Sequence, residues 1–232
     1  MEQLPLSVRL RDTARLASFI PGGNREVFEL VAAGPLAAPR VLWIWGRPGT
    51  GKTHLLQAAC AAVAQAGGSA SYVDLSTAAT SGWLEGCENL DLVCLDGLEA
   101  VAGDADWNDA IFRLHTLMQD GATRLYTTST APPSGIAFRL PDLRSRLLAA
   151  SVHQLHELDE EGQAEALRRR AAGRGLELST EGALYLVHRL PRDMHSLCAV
   201  LDRLDEASLV AQRRLTVPFL RQALEAQGLG AA

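Results

Sequence analysis

Apolar and polar positions follow one pattern before about residue 157 and another after it. In the first part, short and continuously apolar runs bounded by turn residues alternate with segments of helical spacing. Such runs are typical of strands that are buried on both faces. The pattern predicts strands at 41–45, 70–75, 90–95, 124–130 and 152–158, and helices at 24–31, 53–65 and 106–120. Strands and helices that alternate through short connections predict a parallel sheet covered by helices.

From residue 158 onward the spacing is helical throughout. Asp159 and Ser179 are suited to cap two helices, Pro191 to begin a longer one, and Thr216 to open the last. Four helices predict a small helical domain. We therefore expect three parts: an extended arm at 1–17, an α/β domain at 18–157 and a helical domain at 158–232.

Composition and charge restrict the class of protein. The chain has 232 residues, 22 basic and 27 acidic side chains and a net charge of -5, so it lacks the electrostatic footprint of a protein that coats nucleic acid. No apolar run approaches the roughly 18 residues of a membrane span, and Glu2 and Pro5 stand where a signal peptide would be basic and then apolar. We expect a cytoplasmic protein with no membrane partner. The four cysteines are scattered without metal-ligand spacing, and we expect them to be reduced.

A phosphate-binding motif follows the first predicted strand. The segment has the pattern G-x-x-x-x-G-K-T and consists of Gly46, Arg47, Pro48, Gly49, Thr50, Gly51, Lys52 and Thr53. Its glycines let backbone N–H groups turn inward, the following helix adds a partial positive charge, Lys52 reaches the β- and γ-phosphates, and the Thr53 hydroxyl ligates Mg²⁺. The motif predicts binding of ADP or ATP with Mg²⁺. We expect His54 to pack beside this phosphate loop.

A carboxylate ends the third predicted strand. Asp96 follows the apolar run 92–95, and an acid at this edge of a parallel sheet completes the magnesium shell beside a phosphate loop. An ATPase of this kind usually has a second acid immediately afterwards, whereas this chain has Gly97 there. Glu99 is near enough in the sequence to replace this second acid, but it lies two positions after Gly97. We expect slow intrinsic hydrolysis.

Taken together, the phosphate loop, the strand into Asp96 and the segments 140–147 (LPDLRSRL) and 190–194 (LPRDM) resemble AAA+ ATPases of the DnaA group in order and spacing. The resemblance extends from residue 17 onward and is strongest to the Hda family of regulatory inactivators of DnaA, which lack a DNA-reading domain. It implies an α/β fold with an AAA+ P-loop parallel sheet sandwiched by helices, followed by a small all-helical lid domain.

The resemblance also assigns roles to individual residues. Arg146 occupies the position of the arginine finger that reaches into a neighbouring subunit's nucleotide, and Arg144 competes for that role. From the residues alone, the favoured interpretation of Arg146 is a surface arginine or an ion pair with Asp142 one helical turn away, and the resemblance reverses this preference. Arg192 matches a second sensor that touches the bound nucleotide. Thr130 aligns with the first sensor, where this group usually has an acid or an amide.

The arm completes the resemblance. Gln3, Leu4 and Leu6, with Pro5 between the leucines, resemble the motif by which the family binds the DNA polymerase III β sliding clamp. An extended peptide of this kind can dock in an apolar groove. The implied partners are DnaA, the clamp and, through the clamp, DNA, with association to the nucleoid. The sequence does not decide whether the protein forms a homo-oligomer.

Three functions are compatible with these features. The first is a regulator of replication initiation that binds the DNA-loaded clamp and stimulates ATP hydrolysis by DnaA, which inactivates the initiator and prevents re-initiation. The second is an autonomous, DNA-stimulated ATPase such as a helicase loader. The third is a small-molecule kinase, which shares only the phosphate loop and Asp96 with this chain.

Overall fold

Five parallel strands form a single sheet in the computed structural model, which describes residues 14–191, 193–211 and 215–226. The strands are β1 (Val41–Trp45), β2 (Ala70–Asp74), β3 (Leu92–Asp96), β4 (Arg124–Ser129) and β5 (Ser151–Gln154). Their order in the sheet is β2-β3-β4-β1-β5, so β1 lies between two strands that come later in the chain. The predicted parallel sheet is confirmed.

Eight α-helices accompany these strands within the described ranges. They are α1 (Arg25–Ala32), α2 (Lys52–Gln65), α3 (Ala105–Leu117), α4 (Pro141–Leu148), α5 (Glu160–Ala172), α6 (Thr180–Arg189), α7 (Met194–Ala211) and α8 (Val217–Ala226). The helices up to α4 are interspersed with the strands, with two 3₁₀ turns in place of an α-helix between β2 and β3, and the described helices after β5 follow one another without a strand between them. The predicted α/β fold followed by a helical lid is confirmed.

The core of the α/β part explains why strands β1 and β3 are so largely apolar. Residues 92–96 of β3 are all buried, as are the first four residues of β1. Trp43 of β1 has no exposed surface, its ring meets Phe138 edge-on with centroids 6.1 Å apart, and its Nε1 donates to the carbonyl of Ala131 at 3.3 Å. A large side chain that is buried with its polar atom satisfied anchors β1 in this core.

The chain divides into two compact units. Among the described residues, one comprises 14–17, 24–47 and 51–156, and the other comprises 18–23, 48–50 and those from 157 to 226. The helical unit has a core of its own, which includes the fully buried Leu167, Leu186, Leu201 and Leu220. Its predicted caps are confirmed, because the side chains of Asp159 and Ser179 accept the N–H groups of Gly162 and Gly182 at 2.8 and 3.0 Å.

One predicted helix start is wrong, and one predicted cap makes no capping bond. Helix α1 follows Asn24 as predicted, but the Asn24 side chain does not cap it; its amide instead donates to the carbonyl of His156 at 3.0 Å and accepts the His156 N–H at 2.7 Å. Helix α7 begins at Met194 rather than at Pro191, because the Asp193 side chain accepts the N–H of Ser196 at 2.8 Å and so supplies the first-turn acceptor.

Several predicted ends also differ. Strand β5 stops at Gln154, four residues before its predicted end, and Leu155 makes only one further backbone bond to β1. Strand β4 stops at Ser129, and α3 ends at Leu117. These ends are set by the length of the neighbouring strand or by loop hydrogen bonds, which apolar spacing does not reveal.

Candidate functional site

The phosphate loop connects the end of β1 to the start of α2. Strand β1 ends at Trp45 and α2 begins at Lys52, so the loop spans the strand-to-helix turn that the motif requires. Gly49 and Gly51 have φ angles of 83° and 95°, a left-handed conformation that costs other residues energy. Gly51 is the N-cap of α2. Gly49 and Gly51 are therefore needed for the backbone conformation of the loop. The first turn of a 14-residue helix follows the loop directly.

Lys52 is folded back along this loop. Its Nζ donates to the carbonyl oxygens of Gly46 at 2.6 Å and Arg47 at 2.8 Å. Burial lowers the pKa of the ammonium from its ordinary value, and the negative charges of Glu99 and Asp96 oppose that shift. The only lysine of the chain is thus a partly desolvated cation at the loop, the form in which an ammonium attracts phosphate most strongly.

Asp96 lies at the buried end of β3, with 8% of its surface exposed. Its Oδ2 accepts the Tyr72 hydroxyl at 2.7 Å, and its Oδ1 accepts the Thr128 hydroxyl. The Thr128 oxygen in turn accepts the N–H of Gly97 at 3.0 Å. Burial and the carboxylate of Asp96 raise the pKa of Tyr72, which keeps that hydroxyl a donor.

Sequence reasoning missed Tyr72 and Thr128. The signal that identifies them is the sheet order, because β2 and β4 flank β3. Tyr72 pairs with Cys94, two positions before Asp96, and so lies on the same face of the sheet as Asp96. Thr127 pairs with Leu95, which places Thr128 beside Asp96. The order of the strands was not specified by the apolar pattern, so neither hydroxyl could be matched to the carboxylate.

The remaining predicted residues of the nucleotide site are placed as follows. Thr53 is exposed in the first turn of α2, and His54 Nε2 lies 3.2 Å from the carbonyl of Arg15. Thr130 is exposed and lies one residue beyond β4. Glu99 is exposed on a 3₁₀ turn at Leu98–Ala100, which begins after Gly97 in a left-handed conformation.

The donor set fits a magnesium nucleotide. Mg²⁺ is typically held by one or two protein oxygens together with waters and substrate phosphates. A carboxylate oxygen that accepts one hydroxyl still has a second lone pair, so Asp96 retains acceptor capacity on both oxygens. Asp96 and Thr53 are thus the residues that would hold the ion, which would supply charge neutralisation at the phosphates.

Arg146 lies on α4 and makes two side-chain contacts with α3. Its Nη1 donates to Thr116 Oγ1 at 2.7 Å, and its guanidinium carbon lies 4.1 Å from the centroid of the Phe112 ring. Within the described residues it forms no ion pair with Asp142, the alternative partner considered from the sequence. The Arg146 side chain is half-buried, whereas Arg144 on the same helix is exposed.

Four other predicted residues, Gln3, Leu4, Leu6 and Arg192, lie outside the described residues. Their roles stay predictions. Across the described helices, none is both long and apolar enough to cross a membrane.

Comparison with known proteins agrees with this architecture. The family model for the Hda lid domain matches residues 146–224. Domain III of the Thermotoga maritima replication initiation protein DnaA is similar over 94% of this chain and 98% of its own, with 19% identity and a TM-score of 0.77.

Two further solved structures share the fold. AMPPCP-bound DnaA from Aquifex aeolicus is similar over 82% of this chain and 64% of its own, with 23% identity and a TM-score of 0.67. The Thermotoga maritima RuvB Holliday junction branch migration motor is similar over 94% of this chain and 72% of its own, with 16% identity and a TM-score of 0.68. The chain therefore shares the fold of DnaA domain III, and its residues 146–224 match the Hda lid-domain family.

Proposed function

We propose that this protein regulates the initiation of DNA replication by stimulating ATP hydrolysis on DnaA. The Hda-type lid and the DnaA-like fold support a DnaA-related role in replication. In this proposal the protein holds a nucleotide of its own, is recruited by the DNA-loaded sliding clamp and presents an arginine to the ATP of DnaA. The initiator then becomes its inactive ADP form, and re-initiation is suppressed.

The observation that carries the proposal is that neutral groups, and no carboxylate among the described contacts, hold the Arg146 side chain. A guanidinium neutralised by a carboxylate of its own chain is a poor donor to another protein's phosphate, because breaking the ion pair costs binding energy. Arg146 is instead held by a neutral hydroxyl and an aromatic face, and it keeps its charge and other N–H donors for an incoming anion. A finger of this kind can contribute about 10³–10⁵ in hydrolysis rate.

The protein's own nucleotide site is suited to holding rather than turning over its ligand. The phosphate loop and Asp96 support binding of ADP or ATP with Mg²⁺, and DnaA of the same fold has been solved with AMPPCP. Position 97, which follows Asp96, is a glycine, and Glu99 is exposed on the next turn. Since no second acid directly follows Asp96, slow intrinsic hydrolysis with ADP as the resident nucleotide is part of the proposal.

Recruitment is assigned to the arm. Gln3, Leu4 and Leu6 would dock in an apolar groove of the DNA polymerase III β clamp, with Pro5 limiting the entropy lost on ordering. A net charge of -5 gives the chain little affinity for DNA of its own. The clamp would therefore provide its access to DNA and to the nucleoid.

The test compares two arginines of one helix. Clamp-loaded DNA, ATP-bound DnaA and this protein are mixed, and conversion of ATP to ADP on DnaA is measured for wild type, Arg146→Ala and Arg144→Ala. We expect Arg146→Ala to lose stimulation and Arg144→Ala to retain it. Arg144 is the matched control because it has the same charge and lies two residues away on α4. Stimulation that survives in Arg146→Ala refutes this finger, and a loss confined to Arg144→Ala transfers the role to Arg144.

Recruitment is tested separately by a clamp pull-down with and without residues 1–7. We expect deletion to abolish binding, and the paired substitution Leu4→Ala with Leu6→Ala to do the same. Binding that persists after deletion would remove the arm from the proposal without affecting Arg146.

The intact phosphate loop and buried Asp96 favour one alternative, an autonomous DNA-stimulated ATPase such as a helicase loader. A turnover assay on the isolated protein separates the two functions. Robust hydrolysis that rises with DNA supports the loader, whereas slow turnover that DNA does not change supports the regulator.

A further inference from the structure

The carboxylate of Asp96 is held from both sides by hydroxyl groups of neighbouring strands. Tyr72 of β2 donates to Oδ2 at 2.7 Å, and Thr128 of β4 donates to Oδ1. Tyr72 is 8% exposed, and Thr128 has no exposed surface. The two contacts span three adjacent strands, β2, β3 and β4, at one face of the sheet. A carboxylate fixed at both oxygens has little freedom to rotate.

Backbone geometry sets the direction of the second contact. The N–H of Gly97 donates to Thr128 Oγ1 at 3.0 Å, so the threonine oxygen acts as an acceptor there and directs its own hydrogen to Asp96. Gly97 is the residue that immediately follows Asp96, and its left-handed φ of 83° leads the chain from β3 into the next 3₁₀ turn. The hydrogen bonds from Gly97 to Thr128 and from Thr128 to Asp96 thus form a closed local network.

The hydroxyls leave the carboxylate usable as a ligand. Each oxygen accepts one hydrogen bond and keeps a further lone pair, so Asp96 can still contact an ion or an ion-bound water. Groups that orient a metal ligand from behind raise metal affinity without touching the metal, and their removal typically costs about 10–100-fold in affinity. A buried hydroxyl that only satisfied its own hydrogen-bonding capacity, without orienting a ligand, would not change the metal affinity.

We infer that Tyr72 and Thr128 are positioning residues that orient the Asp96 carboxylate for nucleotide-bound Mg²⁺. The inference rests on the nucleotide binding included in the proposed function. It assigns a role to two residues outside the phosphate loop, and it makes a prediction for magnesium that is separate from the binding of phosphate by Lys52 and the loop backbone.

The experiment measures the dissociation constant of a fluorescent ADP analogue with Mg²⁺ and with EDTA for each variant. The ratio of the two constants is the magnesium enhancement. We expect Tyr72→Phe and Thr128→Val to reduce this enhancement by about 10-fold or more and to leave the constant in EDTA unchanged. Thr128→Ser retains the hydroxyl and should retain the enhancement.

Tyr126→Phe is the matched control. Tyr126 lies on β4, is 1% exposed, and its hydroxyl makes no hydrogen bond within the described residues, so its loss should leave the enhancement at the wild-type value. If Thr128→Val folds poorly, Tyr72→Phe alone tests the inference. Tyr72→Phe is the milder change, because it removes one oxygen from a strand at the edge of the sheet.

The outcomes separate the inference from the function on which it rests. Wild-type enhancement in both Tyr72→Phe and Thr128→Val overturns the positioning role, as does an equal loss in Tyr126→Phe. A wild-type protein that binds the analogue equally well in Mg²⁺ and EDTA also overturns it, while nucleotide binding itself stands. A wild-type protein that binds no nucleotide under either condition overturns both.

Discussion

The guanidinium of Arg146 lies over the ring of Phe112, with 4.1 Å between its central carbon and the ring centroid. Thr116, one turn further along α3, accepts its Nη1 at 2.7 Å. Residues four apart on a helix lie on one face, so a single turn of α3 supports the side chain from two directions. The long arginine side chain is thereby ordered before any partner arrives, which lowers the entropy that binding costs.

Phe112→Leu should therefore weaken stimulation of DnaA without abolishing it. The leucine keeps an apolar body against the core but loses the attraction between cation and ring, about 0.5–1 kcal/mol. This corresponds to a reduction of about 2–5-fold in stimulated hydrolysis. The measurement is ATP conversion on DnaA with clamp-loaded DNA. Phe112→Tyr, which retains the ring, is the control, and an equal loss in both variants would contradict a role for the ring face.

The pKa of Lys52 can be read directly by chemical labelling. The other primary amine of the chain is its terminal α-amino group, because Lys52 is the only lysine, so peptide mass spectrometry resolves acylation of the two. Burial favours the neutral amine, which is the nucleophile. We expect the rate of Lys52 acylation to rise with an apparent pKa below the ordinary 10.5 in the nucleotide-free protein.

Added nucleotide should suppress this labelling, since phosphate charges stabilise the ammonium and cover it. A pH–rate profile centred at 10.5 or above, or labelling that is unaffected by nucleotide, would show that Lys52 is not the phosphate-loop cation described above.

Gly97 should be sensitive to substitution for a backbone reason. Its φ is 83°, and a Cβ placed there would meet no atom within 4 Å, so the cost of a side chain is conformational rather than steric crowding. We expect Gly97→Ala to lower the free energy of unfolding by about 1–2 kcal/mol and Gly97→Asn to lower it less, because asparagine tolerates this region. Urea unfolding of the three proteins gives the comparison, and an asparagine variant less stable than the alanine one would refute the backbone argument.

His115 should make the free energy of unfolding fall as the pH drops below 6.5. Its pKa is lowered by burial first and then by the charges of Arg146 and Arg40. A histidine with a lowered pKa in the folded state is neutral there while the unfolded chain still binds a proton, so its contribution is present above the ordinary pKa of 6.5 and is lost as pH falls below it. Wild type should therefore lose more stability than His115→Gln between pH 6.5 and the lowered pKa. Parallel denaturation curves across this range would contradict the prediction.

How far the sequence predicts this fold depends on the kind of signal. The strands β1 and β3 are buried on both faces and read as unbroken apolar runs, so their existence was predictable. The phosphate loop was predictable because its chemistry depends on residue types at fixed spacing. Asp96 was predictable for the same reason, as it ends a strand downstream of the loop.

What the sequence did not predict depends on contacts between distant segments. Asn24 has the residue type of a helix cap, yet its amide pairs with the backbone of His156, a choice made by tertiary structure. The placement of the two hydroxyls beside Asp96 follows from the strand order. The contacts of Arg146 follow from the packing of α4 on α3. Local propensity carries no information about such pairs.

The interior position of β1, between β4 and β5, has a consequence for synthesis on the ribosome. Ile44 pairs with Thr128 on one side and His153 on the other, so the strand that leads into the phosphate loop is made long before either neighbour. His153 follows Ile44 by about 110 residues, which at roughly 5–20 residues per second takes about 5–20 s. During that interval the apolar run 41–45 emerges without the partners that will bury it. The nascent chain must therefore keep one of its most aggregation-prone segments unpaired until the last strand of the sheet has been translated.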